Sequence, residues 1–139
     1  MYIRKTEHGY LLRLVTGEEL VSKLMGFFIE QKLQSATFTA IGATTEITLG
    51  FYSLTKKEYH WKEFSGEFEI ASGVGNISTF EGKPVVHMHT SISDEEMKAF
   101  GGHVKKLVVG ATCEVVMTTY IEALERKADA AVGLNLWGL

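Results

Sequence analysis

The stretch "KPVVHMHTSISDEEMKAFGGH", Lys83 to His103, indicates the fold class and contains three of the five histidines in the 139-residue chain. Its first half predicts a strand, because alternate residues of a strand share a face and apolar side chains suit the inner one. "SDEEMKAFGG" predicts a short helix, with Ser93 as N-cap and Glu96 in the capping-box position. The glycine pair 101–102 is a natural C-terminal stop for that helix.

Upstream, the segment 16–33, "TGEELVSKLMGFFIEQKL", predicts a longer helix. Thr16 and Glu19 stand in capping-box relation at its start. Apolar residues recur at helical spacing and predict a buried stripe. These residues are Leu20, Leu24, Phe27 and Phe28, with Val21 widening the stripe.

The remaining segments are rich in β-branched residues and predict strands, among them 9–15, 36–41 and 45–53. The glycine-rich segment 72–78 predicts a tight connection between strands. We expect the apolar tail 131–139 to dock as a strand or to lie at a subunit contact. The order of elements predicts an α+β fold in which a mostly antiparallel, barrel-like central sheet is flanked by few helices.

Composition limits the functional classes. The length favours a single domain over residues 1–139. Fourteen Lys and Arg against seventeen Asp and Glu give a formal charge of −3, which does not support dedicated nucleic-acid binding. The single cysteine excludes an intrachain disulfide, and no stretch is apolar and long enough to span a bilayer. We expect a soluble cytoplasmic protein.

The three clustered histidines predict a metal site. His87 and His89 alternate on one strand and therefore point the same way, with Cα atoms about 6.6 Å apart. The short helix would turn the chain back so that His103 approaches them. Three neutral imidazoles leave the fourth position of a tetrahedral zinc ion open, the pattern of a catalytic or exchangeable site. We predict a divalent metal, zinc, bound by His87, His89 and His103.

Other interpretations of these residues stay open. The two strand histidines can be ordinary polar residues on a half-exposed face, with the third capping the helix. A closed structural site would need a fourth protein ligand, for which Cys113, Glu114 and Glu46 are candidates by type. Cys113 lies in an alternating strand pattern, which favours a buried structural role for it over a nucleophilic one.

Six segments in characteristic order resemble the plants and prokaryotes conserved (PPC) domain family. They are "RLVTGEEL" from Arg13, "AIGATTEITLGFY" from Ala40, "GEFEIASGVGNIS" from Gly66, "HMHTSISD" from His87, "GGHV" from Gly101 and "ERKADAAVGLNL" from Glu125. The resemblance covers nearly the whole chain and implies a homotrimer built on a central antiparallel sheet. It also implies a metal held by His87, His89 and His103, and a DNA-binding or regulatory role.

Two departures bear on the implied DNA binding. The Arg-Gly-Arg-Pro hook of the plant members is absent. The plant segment Gly-Arg-Phe-Glu-Ile-Leu, which serves partner binding, reads "GEFEIA" from Gly66 to Ala71, so that an acid replaces the basic residue. Direct DNA binding is therefore the less supported part of the resemblance.

The alternative function is a metal-dependent enzyme, decarboxylase- or lyase-like, acting on a small oxo- or hydroxy-acid. The family resembles acetolactate decarboxylase in fold and in binding a metal through a His-x-His pair and a later histidine. Glu46 or Glu114 would then relay a proton, and Arg13 or Arg126 would hold a substrate carboxylate. A purely structural metal is the third interpretation. The catalytic residues are not identified by the sequence.

Overall fold

The computed structural model describes residues 1–139 and contains eight strands and one helix. Their bounds in chain order are β1 Tyr2–Lys5, β2 Gly9–Val15, α1 Leu20–Glu30, β3 Ser35–Ser53, β4 Glu58–Phe80, β5 Lys83–Ser93, β6 Ala99–Tyr120, β7 Arg126–Asp129 and β8 Leu134–Trp137. β1 to β6 form one antiparallel sheet, and β7 and β8 form a separate hairpin. This α+β fold with a mostly antiparallel sheet confirms the predicted class.

The large sheet curls until it closes on itself. Its strands follow the order β1-β2-β6-β3-β4-β5, and β5 also pairs with β6. β3, β4, β5 and β6 therefore form a closed ring, because each of them is hydrogen-bonded to two neighbours of the ring. The four long strands reach this closure through register shifts at several points, which bend a strand and increase its twist.

α1 covers one face of the sheet with the stripe that the sequence predicts. Leu20, Leu24, Phe27 and Phe28 are all buried in a core of 22 apolar residues. Val21 packs against that core from the edge. No helix of the chain combines the length and the apolar character needed to cross a bilayer.

The start of α1 differs from the prediction. The N-cap is Glu19, whose carboxylate accepts hydrogen bonds from the backbone N–H groups of Val21 and Ser22. Gly17, at φ +83°, turns the chain before the helix begins, so Thr16 lies too early to cap it. The Thr16 hydroxyl instead donates to the carbonyl of Ala111.

The predicted short helix at 93–100 is wrong. β5 runs to Ser93, β6 begins at Ala99, and a tight turn joins them. Asp94 explains the difference, because its carboxylate accepts from the backbone N–H groups of Glu96 and Lys98 and so closes a turn where a helix would start. The glycine pair 101–102 consequently lies inside β6 and does not stop a helix.

Two other predicted breaks are absent. The chain continues through Gly42, where β3 has a register shift, so that 36–41 and 45–53 are parts of one strand. The segment 72–78 lies inside β4. Its glycines allow close packing, since a Cβ at Gly73 would lie 2.5 Å from Cε of Met88. The tail was correctly expected to dock as a strand, β8.

Candidate metal centre

The register between β5 and β6 brings the predicted histidines together. His89 on β5 lies directly opposite His103 on β6. Side chains of directly opposed residues in an antiparallel pair emerge on the same face with Cβ atoms about 4.5–5.5 Å apart. His87 lies two residues before His89, on the same face, while Met88 between them is fully buried in the core. The approach of His103 therefore comes from strand pairing and needs no helix.

The three rings face a common point. One ring nitrogen of each histidine lies within 4.8 Å of those of the other two. The ring centroids are separated by 5.2, 5.3 and 5.5 Å. Nε2 of His87 and Nε2 of His89 are 3.3 Å apart. Zn–N bonds of about 2.0–2.1 Å place two ligands of a tetrahedral ion about 3.3–3.4 Å apart, so these two nitrogens already fit such an ion.

An aromatic wall holds the third ring. The Tyr59 and Trp61 rings stack with centroids 4.5 Å apart, and the Tyr59 ring lies 5.0 Å from that of His103. Gly50 lies between Trp61 and His103 across the sheet, because it pairs with Trp61 on β4 and with His103 on β6. A Cβ there would lie 2.5 Å from Cζ3 of Trp61, so only glycine leaves room for this wall.

Burial and charge keep the imidazoles of His87 and His103 neutral. Burial, reinforced by Arg126 and His89, lowers the pKa of His87. Burial, with His87, His89 and Arg126 adding to it, lowers the pKa of His103 to about 4. A neutral imidazole offers a lone pair to a metal, whereas an imidazolium does not. At neutral pH both rings are therefore ready to coordinate.

The buried Nδ1 of His103 supports the fit of a metal. This nitrogen has no hydrogen-bond partner in the protein. Leaving a buried polar atom without a partner costs about 1–3 kcal/mol. A metal coordinated by Nδ1 would provide that partner. The donor set, three nitrogens and no sulfur, is one that zinc accepts.

Arg126 lies close enough to the histidines to lower the pKa of His87 and His103, and it has no carboxylate partner. Its side chain is 7% exposed. Nε donates to the Ser78 hydroxyl, Nη1 to the Asn135 carbonyl and Nη2 to Oδ1 of Asn76. Burial lowers the pKa of Arg126, yet a guanidinium remains protonated in proteins. The site thus contains a buried positive charge whose hydrogen-bond acceptors are all neutral.

A depression of about 470 Å³ opens beside the rings. No acidic residue lines it. Its lining residues include Thr37, Val74, Asn76, His87, His89 and Trp137. A molecule entering this depression would reach His87 and His89 directly.

The other residues considered from the sequence lie elsewhere. None of the three candidate fourth ligands belongs to the histidine cluster. Cys113 is fully buried in the core, and Glu46 accepts a 2.7 Å hydrogen bond from Lys106. Arg13 stacks over the ring of Tyr2, away from the histidines. Of the two arginines named as carboxylate partners, only Arg126 lies near the site.

The residues that sequence reasoning missed are Asn76, Tyr59, Trp61 and Trp137. They approach the histidines through strand register or through the β7–β8 hairpin, and no local motif marks them. Asn76 pairs with His87 across β4 and β5, and Gly50 joins Trp61 to His103. Such positions become visible only once the strands are aligned.

Fold and site together define an α+β protein with a closed antiparallel sheet and a three-histidine cluster on its outer face. The model of the Plants and Prokaryotes Conserved domain matches residues 1–121. The chain therefore belongs to this family, as the sequence resemblance predicts.

Solved structures of similar proteins support the assignment. A Pyrococcus horikoshii plant- and prokaryote-conserved protein is 32% identical, with a TM-score of 0.88 over 99% of this chain and 94% of that chain. A protein of Ralstonia eutropha JMP134 named "putative DNA-binding protein" is 34% identical, with a TM-score of 0.93 over 99% and 95%. A protein of Archaeoglobus fulgidus described as metal-containing is 36% identical, with a TM-score of 0.86 over 99% of both chains.

Two further similarities are more limited. α-Acetolactate decarboxylase of Bacillus subtilis strain 168 shares the fold at 14% identity, with a TM-score of 0.52 over 88% of this chain and 57% of that one. The bifunctional protein GlmU of a Synechococcus strain is 29% identical over 127 residues. The match covers 89% of this chain but only 19% of that curated protein.

Proposed function

We propose that this protein is a metal-binding PPC protein, active as a homotrimer, with a DNA-binding or regulatory role. In this proposal residues 1–139 form one domain, and His87, His89 and His103 hold a divalent metal ion, zinc. The observation that carries the proposal is the convergence of three imidazole nitrogens within 4.8 Å of one another. The relative described as metal-containing supports it.

Zinc is the metal that the donor set favours. Three neutral imidazoles and no carboxylate exclude the oxygen-rich sites that magnesium and calcium prefer. Bound there, zinc would retain a coordination position for water or another ligand. The protein contributes rings fixed by strand register and by the aromatic wall, so little ordering is needed when the ion binds.

Metal analysis of purified protein tests the site. We expect one zinc per chain by mass spectrometry of the metal, and less than a tenth of that in His89→Ala and His103→Ala. His8→Ala is the matched control, because His8 is 80% exposed and lies on the β1–β2 connection. Equal zinc in all the variants would contradict the proposal.

The homotrimer is supported by an uncovered row of three apolar residues and one threonine on the outer face of the sheet. Leu11, Val116, Thr39 and Val74 follow one another across four paired strands. Leu11, Val116 and Val74 are 42%, 56% and 53% exposed. Exposed apolar surface that continues across several strands is typical of a protein interface. Sedimentation should give three times the 15.4 kDa chain mass, and Val116→Asp should lower it.

The DNA-binding part of the proposal comes from the names that related proteins carry. The net charge of −3 requires any contact with DNA to use a local patch or an assembled surface. Mobility shifts at low and moderate salt provide the test. Binding that weakens as salt rises would support the role, and no shift at low salt would refute it.

The second candidate function is a metal-dependent enzyme acting on a small oxo- or hydroxy-acid. The observation in its favour is a three-histidine cluster of which two members, His87 and His89, line a depression together with Asn76, the hydrogen-bond partner of Arg126. The bound metal would act as a Lewis acid on a carbonyl or lower the pKa of water. Turnover of 2-oxo or 2-hydroxy acids that is lost in His89→Ala would establish this candidate, and its absence across such a panel would exclude it.

A further inference from the structure

The histidine depression has the electrostatic character of an anion site. Arg126 is buried, positively charged and hydrogen-bonded only to neutral acceptors. No acidic side chain lines the depression. Buried charges in proteins are usually paired, because removing an ion from water costs several kcal/mol. The positive charge of Arg126 therefore lacks a negative counterpart within the chain.

Asn76 connects Arg126 to the depression through a hydrogen bond. A guanidinium can only donate hydrogen bonds, so the atom of Asn76 that faces Arg126 must be its oxygen. The amide Nδ2 is then left to donate elsewhere, and it has no acceptor in the protein. Asn76 lines the depression and lies opposite His87 in the β4–β5 pairing. Arg126 thus acts as a positioning residue that fixes Asn76 as a donor beside the metal ligands.

The walls of the depression suit an organic ligand better than an inorganic ion. Trp137 contributes apolar surface and is about half exposed. Thr37, across from Asn76 in the β3–β4 pairing, adds a hydroxyl that already shares a hydrogen bond with the Tyr120 hydroxyl. Donors at one end and an apolar wall beside them match a carboxylate that carries a short carbon chain.

We propose that the depression binds a small organic carboxylate between the histidine-bound metal and the Nδ2 donor of Asn76. The carboxylate would complete the coordination of the metal and balance the unpaired positive charge of Arg126. This inference rests on the proposed metal site and names the ligand class of that site. It holds for a regulatory ligand as well as for a substrate.

Cobalt-loaded protein provides the test, because the visible absorption of Co²⁺ changes when its ligands change. Butyrate and its neutral analogue butyramide are titrated separately, with inorganic phosphate as a third probe. We expect a saturable spectral change with butyrate, and at least a roughly tenfold weaker effect with butyramide, the scale of a hydrogen bond to a charged group. Phosphate should bind more weakly than butyrate.

Asn76→Asp removes the Nδ2 donor and neutralises the charge of Arg126, but it keeps the hydrogen bond of Arg126, since the new carboxylate still accepts from Nη2. It supplies the missing negative charge inside the protein, so butyrate should bind at least about tenfold more weakly while Co²⁺ still binds. Thermal unfolding verifies that the variant is folded. The comparison of butyrate with butyramide needs no variant and stands by itself.

The outcomes separate this inference from the proposed function. Failure of the natural protein to bind Co²⁺ would overturn both. Normal Co²⁺ binding with no response to butyrate would overturn the carboxylate site alone. Equal affinities for butyrate and butyramide would do the same, as would unchanged butyrate affinity in folded Asn76→Asp.

Discussion

Replacing Gly102 with alanine tests whether the strand register positions the histidines, because the substitution leaves the histidines themselves unchanged. Gly102 precedes His103 on β6, and β6 runs beside β3 at Gly50. A Cβ at position 102 would lie 2.8 Å from the carbonyl oxygen of Gly50 and 3.5 Å from its carbonyl carbon and its nitrogen. These are backbone atoms in a paired strand, so the conflict can be relieved only by moving one strand against the other.

The expected loss of stability follows from this contact. Overpacking a well-ordered interior costs about 1–3 kcal/mol. For a chain of this length that corresponds to a melting temperature roughly 4–12 °C lower. The same movement carries His103 away from His89, its cross-strand partner. Displacement of a metal ligand of this kind lowers affinity by about tenfold or more.

Gly101→Ala is the matched control, one residue away in the same strand. A Cβ there would lie 3.2 Å from the Thr90 carbonyl oxygen and 3.5 Å from Oγ of Ser91. An adjustment of a few tenths of an ångström relieves this contact, so we expect a cost below about 1 kcal/mol and unchanged zinc affinity.

Differential scanning calorimetry and competition for zinc with a chromophoric chelator measure both effects. If Gly102→Ala melts within 2 °C of the natural protein and binds zinc equally, the argument from register is wrong. Equal losses in the two variants would also refute it, because the distances at the two positions differ.

Three further predictions concern the zinc ion, the carboxylate of Glu18 and the thiol of Cys113. Removing zinc with a chelator should lower the melting temperature by about 10 °C, because zinc at a hundredfold excess over its Kd contributes about 2.7 kcal/mol. Burial raises the pKa of Glu18, but hydrogen bonds from the amino group of Met1, the Val15 amide and Lys23 outweigh it and lower the pKa from 4.5 to about 2. Glu18 should therefore add stability above pH 4.5 that disappears as the pH falls towards 2. Chemical denaturation should show that the free energy of unfolding of Glu18→Gln falls less over that pH range than that of the natural protein. Burial raises the pKa of Cys113 to about 12, so iodoacetamide at pH 8 should modify it only in denaturant, and rapid labelling of the folded protein would contradict its placement in the core.

The sequence was sufficient for the fold class and for the ligand candidates. Alternation on β5 indicated both that Met88 faces the core and that His87 and His89 share the opposite face. The stripe on α1 indicated the helix and its buried residues. These features depend on local periodicity, which a sequence displays directly.

The sequence misled where two local signals compete. Ser93 and Glu96 form a capping-box pattern that predicts a helix, whereas the Asp94 carboxylate closes a turn, and the pairing of β5 with β6 decides for the turn. The glycine pair 101–102 looks like a helix stop, yet it allows β6 to lie against β3. Long-range pairing overrides local preference in both cases.

The surroundings of the histidines were beyond the reach of sequence reasoning for a related reason. Asn76 and Trp61 reach the site through cross-strand register, and Arg126 reaches it from a separate hairpin. Sequence reasoning named Arg126 only because it is an arginine, and it could not decide whether Arg126 or Arg13 lies near the histidines. The unpaired charge on Arg126 became evident only from its three hydrogen-bond partners.

X-ray absorption at the zinc edge of the zinc-loaded protein measures the ligands of the ion directly. A first shell of three imidazole nitrogens and one further oxygen or nitrogen donor, at about 2.0–2.1 Å, is the predicted result. A spectrum with fewer than three imidazoles, or with a sulfur neighbour near 2.3 Å, would contradict the three-histidine site.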